Sequence, residues 1–133
     1  MLKKLEKKLY TNTIIIENDI TYFKYHYNRY KRFYKFLENH FKENSKNLNV
    51  LDIGSHYLHI SSLLSIMEFN VDSLDVPEFW NLSFVKNRSQ KFNLKQIVEN
   101  DLSKLESMKK IENKYDLIVF SEILEHITFN PIN

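Results

Sequence analysis

Two periods alternate along this chain, and the switches between them lay out its elements. NVLDI (49–53), VDSLDV (71–76), KQIVE (95–99) and YDLIVF (115–120) are short and rich in apolar or β-branched residues, and are predicted strands. The fourth is so continuously apolar that burial on both faces is expected. Between the strands the spacing becomes helical. Leu58, Leu63, Leu64 and Met67 share one face of 57–68, with Ser61 and Ser62 between them, and Leu105, Met108 and Ile111 share a face of 101–111. SEILEHI (121–127) resumes the helical period after the fourth strand. Pro77, with fixed φ and no N–H, ends the second strand. Residues 78–94, which hold Trp80, have no clean period and read as a long loop with a helical turn or two.

The first third of the chain is different. Residues 2–9 suit a short helical turn, and TNTIII (11–16) is a β-branched run that reads as extended. Asp19 is the predicted N-cap of one long helix over 20–44. Phe23, Tyr27, Tyr30, Tyr34, Leu37 and Phe41 recur every three or four residues along it, with Lys24, Lys31, Lys35 and Lys42 off the stripe. Interleaved aromatic and basic residues resemble a stacking surface for single-stranded nucleic acid, but an aromatic stripe at this spacing is expected to be core. ENSKNLN (43–49) is a polar connector. The implied division is a helical segment, 1–47, followed by an α/β domain, 48–133. Strands alternating with helices imply a parallel, Rossmann-like sheet with flanking helices, preceded by an aromatic-rich helix and truncated after its fourth strand.

Composition narrows the function classes. The chain has 133 residues, enough for one domain with a core. It has no Cys, which excludes disulfides, thiolate metal sites and a Cys nucleophile. No apolar run is long enough to span a bilayer, and MLKKLEKKLY is not followed by a signal-peptide h-region, so a cytoplasmic protein without a membrane partner is expected. Net charge is only +2, too mild to imply nucleic acid, but it is unevenly spread. Residues 1–46 hold eleven Lys/Arg against five Asp/Glu, and 47–133 hold eight against twelve. A basic first part of this kind can attract an anion, although it can equally be a solvated helix face.

In parallel sheets the ligand crevice lies beyond the carboxyl ends of the strands. Polar residues stand at those places: Gly54 and Ser55, Asp75, Asp101, and Ser121 with Glu122. An acid ending the second strand can accept hydrogen bonds from both hydroxyls of a ribose. Gly54 lets backbone approach a ligand where a Cβ would obstruct it. A helix starting near Tyr57 would aim free N–H groups at the crevice. Asp101 is placed to bond an adenine amino group.

In this order, VLDIGS, SLDV, NDLSKL and YDLIVFSEILEHI resemble the first four motif blocks of class I S-adenosylmethionine-dependent methyltransferases. The nearest likeness is to members whose fourth block ends in SE-x-LEH, which act on small molecules, quinones and sugars. It covers roughly residues 28–127, and NRYKRFYKFLE resembles the helix that often precedes the first block. The resemblance implies S-adenosyl-L-methionine as cofactor. Asp52 would order the first loop and help hold the methionine ammonium group, and Gly54 with Ser55 would pass beneath the cofactor. Asp75 would bind the ribose, Asp101 and Leu102 would flank the adenine, and Ser121 and Glu122 would line the floor. A nicotinamide site fits less well, because G-x-G-x-x-G is absent.

Two departures from the pattern bear on activity. Where the family's first loop commonly continues with two more glycines, this chain has His56 and Leu58. The family sheet also has seven strands, and only four are read here, so enzyme activity is left open. The expected function is the cofactor-binding half of a methyltransferase acting on O or N of a small molecule or saccharide. The alternatives are a non-catalytic scaffold or regulatory subunit and, less directly, an RNA methyltransferase or RNA-binding protein. A protein partner or self-association would cover the exposed fourth strand. Glu122, Glu125 and His126 share a helix face and form a weak candidate metal set, with no metal expected, and His126 is a weak candidate general base.

Overall fold

The computed structural model describes residues 1–110 and 115–120. Four strands, β1 (Asn49–Ile53), β2 (Asn70–Asp75), β3 (Lys95–Val98) and β4 (Leu117–Val119), form an all-parallel sheet in the order β3-β2-β1-β4. The chain steps outward from β1 to β3 and then returns to the far side of β1, so the strand order reverses between β1 and β4. Six helices are described: α1 (Leu2–Tyr10), α2 (Glu17–Tyr25), α3 (Tyr27–Phe41), α4 (His59–Ile66), α5 (Pro77–Trp80) and α6 (Ser83–Lys91). The predicted parallel, Rossmann-like α/β arrangement with an aromatic-rich helical segment before it is present.

Alternation along the strands divides the core in two. Val50, Val71 and Val119 face a large cluster that contains Leu5, Leu9, Phe23, Leu37, Leu63 and Leu64. Leu51, Ile53 and Leu74 face the other way and are covered by Ile97, Leu102, Leu105, Met108 and Tyr115. Helices α1–α3 therefore share one core with the sheet. Each fully buried leucine of α1 contributes roughly 1.5–3 kcal/mol by leaving water, and that anchors the helical segment against the fold.

The aromatic stripe does go inward: Phe23, Tyr30 and Leu37 are buried, and Tyr27, Tyr34 and Phe41 pack against the same cluster. The helix that carries it is not continuous. It breaks at His26 (φ −96°, ψ 7°), so that α2 turns Asp19 and Phe23 inward while α3 does the same with Tyr30 and Leu37. Asp19 is not an N-cap. Ile16 holds that position, and the Asp19 carboxylate is drawn into the interior by side chains described below.

Other departures from the sequence reading have local causes. TNTIII joins no strand; it connects α1 to α2 and leaves Ile14 and Ile15 exposed. Residues 78–94, read as a long loop with a helical turn or two, hold most of α5 and the whole nine-residue α6. Pro77 stands at the first position of α5, where its missing N–H does no harm. In α6 the buried face carries Val85, Arg88 and Ser89, so its period is invisible to hydropathy. Residues 101–110 form a turn and a 3₁₀ helix (Glu106–Lys110), not the expected α-helix. Asp101 bonds the amide and hydroxyl of Ser103, Glu99 bonds those of Ser107, and Leu105 takes φ 49°, all of which compete with a regular helix. In β4, Val119 is buried but Ile118 is 54% exposed, so burial on both faces does not hold. Its one partner among the described strands is β1. The predicted helix at 121–127 lies outside the described residues.

Candidate functional site

A cavity of about 460 Å³ opens beyond the carboxyl ends of β1 and β2, beside the point where the strand order reverses. It is lined by five of the sequence-predicted residues: Asp52, Gly54, Ser55, Asp75 and Leu102. Asp101 is not among its lining, because Ser103 engages its carboxylate at 2.5 and 2.9 Å and holds its pKa below the ordinary value. Ser121, Glu122, Glu125 and His126 lie outside the described residues. Among the described residues, no group of three or more His, Cys, Asp or Glu side chains is arranged to hold a metal ion. No helix among them is long and apolar enough to cross a membrane.

The loop after β1 is stitched to the end of β2. The amides of Gly54 and Ser55 both donate to the Leu74 carbonyl, at 2.8 and 3.1 Å. The His56 amide donates to Asp75 Oδ2 (2.6 Å), and the Val76 amide donates to Asp75 Oδ1 (2.7 Å). The turn then closes through the Leu58 amide on the Ser55 carbonyl. Its backbone takes positive φ at alternate residues: 74° at Gly54, 51° at His56 and 67° at Leu58. Glycine adopts such angles freely, whereas each residue with a Cβ pays roughly 1–2 kcal/mol. The loop thus holds positive φ at three positions with one glycine. Burial of the Leu58 side chain in the main core compensates at that position. The His56 ring packs among Tyr22, Tyr57 and Phe79 at centroid distances of 4.6, 3.8 and 4.4 Å.

Asp52 is 2% exposed at the base of the cavity. Its neighbour across the β1–β2 register is Ser73, and α4 places Ser61 over both. Ser61 donates to Asp52 Oδ2 (2.6 Å), which leaves Ser73 to donate to Ser61 Oγ (2.7 Å). Burial raises the Asp52 carboxyl to about 7, the nearby Asp75 adds to the rise, and Ser61 opposes it. Burial also raises Asp75. Ser55 Oγ is buried with no hydrogen-bond partner among the described residues. Two desolvated acids and an orphaned hydroxyl around one cavity are the donor and acceptor set for a ligand that brings a cation and hydroxyls.

One wall was not legible in the sequence. Tyr22 of α2 and Arg29 and Tyr30 of α3 reach the cavity from the helical segment, with Val76 and Phe79 from the other side. Behind this wall stands a buried polar cluster. Arg88 Nη1 and Nη2 donate to Asp19 Oδ1 and Oδ2, both at 2.7 Å, and Nη1 also reaches the Tyr57 carbonyl (3.0 Å). His59 Nε2 lies 2.7 Å from Asp19 Oδ1, and its Nδ1 lies 3.2 Å from the Tyr30 hydroxyl. An ionised Asp19 can only accept, so Nε2 carries the proton and Nδ1 accepts from Tyr30. Burial lowers the His59 pKa and keeps the ring neutral. Burial alone would raise Asp19, but bonds from Arg88 and His59 outweigh it and hold the carboxyl at about 2. Helices α2, α3, α4 and α6 are thereby fixed around the first loop. Ser61, a serine within the apolar pattern of α4, was the available hint to the Asp52 network.

No family model, no curated protein and no solved structure matches this chain.

Proposed function

We propose that the chain binds S-adenosyl-L-methionine in the cavity beyond β1 and β2 and supports methyl transfer to an oxygen or nitrogen of a small molecule or saccharide. The observation that carries this reading is the meeting of Asp52, Ser55 and Asp75 around a loop with positive φ at 54, 56 and 58. The residues present fit the cofactor chemically. Asp52, whose ionisation is opposed by burial, would be held ionised by an adjacent ammonium group. Asp75 retains acceptor capacity for ribose hydroxyls beyond its two backbone bonds. Ser55 Oγ would gain its missing partner, and Leu102 would pack against the base. When bound, the cofactor supplies an electrophilic methyl group on a sulfonium. The chain's own part is to orient and desolvate: Tyr22, Tyr30 and Phe79 exclude water, and the strand ends fix the acids.

Binding of S-adenosylhomocysteine by wild type and by Asp75→Asn tests the assignment. The amide keeps the shape but cannot accept on both sides, and the expected loss is about 1–3 kcal/mol, or roughly 5- to 150-fold. Unchanged affinity in a folded variant removes Asp75 from the site.

A second reading, a non-catalytic scaffold of the same fold, is favoured by one feature. The His56 ring lines the cavity against Tyr22, Tyr57 and Phe79, where a glycine would leave space. Binding seen only after His56→Gly would support the scaffold.

A further inference from the structure

A second concavity lies away from the one beyond β1 and β2. It is a groove of about 1120 Å³ between α1, the 11–16 connector and the start of α6. Its charges are all of one sign. Lys4, Lys7 and Lys8 stand at i, i+3 and i+4 along α1 and Lys91 comes from the end of α6, while no Asp or Glu belongs to the lining. The four lysines are exposed; Lys91 Nζ donates to the Thr11 carbonyl (2.9 Å), which leaves it further donors, and Arg88 at the bottom is already engaged by Asp19. Burial, Arg88 and Lys8 together lower the Lys91 pKa, as expected where like charges crowd one place. Between the ammonium groups the surface is apolar, from Leu9, Ile14, Ile16, Leu82 and Phe84.

The connector adds a second, independent feature. Ile14 and Ile15 are 85% and 50% exposed, and the segment joins no strand. No backbone hydrogen bond is made by the amides of residues 13–16 to any described residue, although Ile16 accepts one from Ile20. A β-branched run with unpaired amides, ending in the extended Ile16 (φ −99°, ψ 120°), offers an edge for strand addition. A small inorganic anion would leave both the apolar floor and this edge unused.

We infer that this groove binds an extended acidic peptide that pairs its backbone with residues 13–16, seats aliphatic side chains on the groove floor and sets carboxylates among Lys4, Lys7, Lys8 and Lys91. The main chain supplies affinity, alternate side chains supply specificity, and charge speeds the encounter. The site is separate from the cavity that holds Asp52 and Asp75, and the proposal does not depend on what that cavity binds.

The probe is a fluorescein-labelled, end-capped decapeptide of alternating Glu and Val, read by anisotropy against the full chain. Comparison peptides alternate Glu and Ser, or carry N-methyl groups on either the odd or the even residues. The expected result is binding of the Glu/Val peptide, with a loss of about tenfold or more for Glu/Ser, for one of the two N-methylated forms, and for the Lys4→Glu, Lys7→Glu double variant. Both lysine side chains are exposed, so the variant should keep the wild-type circular dichroism. The proposal is overturned if the Glu/Val peptide does not bind, if Glu/Ser binds as well, or if neither N-methylated form weakens. It is also overturned if a ten-residue oligothymidylate or phosphatidylserine vesicles bind more tightly than the Glu/Val peptide.

Discussion

Replacing Asp52 by Asn should make the protein more stable than wild type at high pH, progressively as pH rises. Asp52 is 2% exposed, and burial raises its carboxyl from 3.8 to about 7. A carboxyl with a raised folded-state pKa favours the folded state fully below the unfolded value. That contribution is lost as pH rises through the folded value. Taking the two pKa values as 3.8 and about 7, ionisation of Asp52 removes roughly 2–3 kcal/mol of stability between pH 5 and pH 8. Asn is nearly isosteric, can still accept from Ser61, and does not titrate. His59, whose folded pKa is lowered by burial, acts in the opposite direction, stabilising above its unfolded value and losing that contribution as pH falls through 6.5. It is present in both proteins and drops out of their difference. Urea unfolding of wild type and Asp52→Asn at pH 5 and pH 8 gives four free energies. The stability difference should move in favour of the variant by roughly 2–3 kcal/mol between the two pH values. A difference that stays constant within error would show that Asp52 is ionised normally, and the argument for a cation-seeking acid in the cavity would fall.

Asp19→Asn should destabilise by about 3–5 kcal/mol, because it leaves the 5% exposed Arg88 guanidinium without its carboxylate. Thermal or urea unfolding reads this directly, and a loss under about 1 kcal/mol would mean that solvent already satisfies Arg88. In wild type the Asp19 contribution is present above pH 3.8 and lost as pH falls through about 2, so Asp19→Asn should flatten that part of an acid-unfolding curve. The two positions that hold glycine geometry without glycine should respond in opposite ways. His56→Gly relieves a positive φ while losing ring contacts, and should change stability by less than about 1 kcal/mol while strengthening ligand binding. Leu58→Gly relieves a similar angle but empties a fully buried site, and should cost about 2–4 kcal/mol by chemical unfolding.

The strands were legible because each short run rich in apolar or β-branched residues is bounded by polar turns, and their limits agree within one or two residues with β1–β4. Once the strands are placed, the residues at their ends follow, and Asp52, Gly54, Ser55, Asp75 and Leu102 do meet at one cavity. Sequence reasoning stopped where polar side chains replaced apolar ones inside the fold. Asp19 looked like a cap because an acid before an apolar stretch usually is one; its partner Arg88 is 69 residues away, and no local pattern connects them. The same pair hid α6, whose buried face includes Arg88 and Ser89 instead of hydrophobes. At 101–111 the leucine and methionine spacing reads as one face of a helix, and of that face Leu105 and Met108 do cover the sheet. Hydrogen bonds from nearby serines to the Asp101 and Glu99 carboxylates nevertheless bend the segment out of α-helix. The positive angles at His56 and Leu58 could not be read from residue types that disfavour them; only the sealing of the loop onto Leu74 and Asp75 imposes them.

The central claim is that the cavity beyond β1 and β2 holds an adenosine-bearing sulfonium cofactor, and calorimetric titration tests it most directly. S-adenosylmethionine and S-adenosylhomocysteine titrated into the folded chain, with Asp52→Asn and Asp75→Asn alongside, should give saturable heat with wild type and weaker binding with both variants. No heat at millimolar ligand, from a chain whose circular dichroism and cooperative unfolding show it to be folded, would contradict the account.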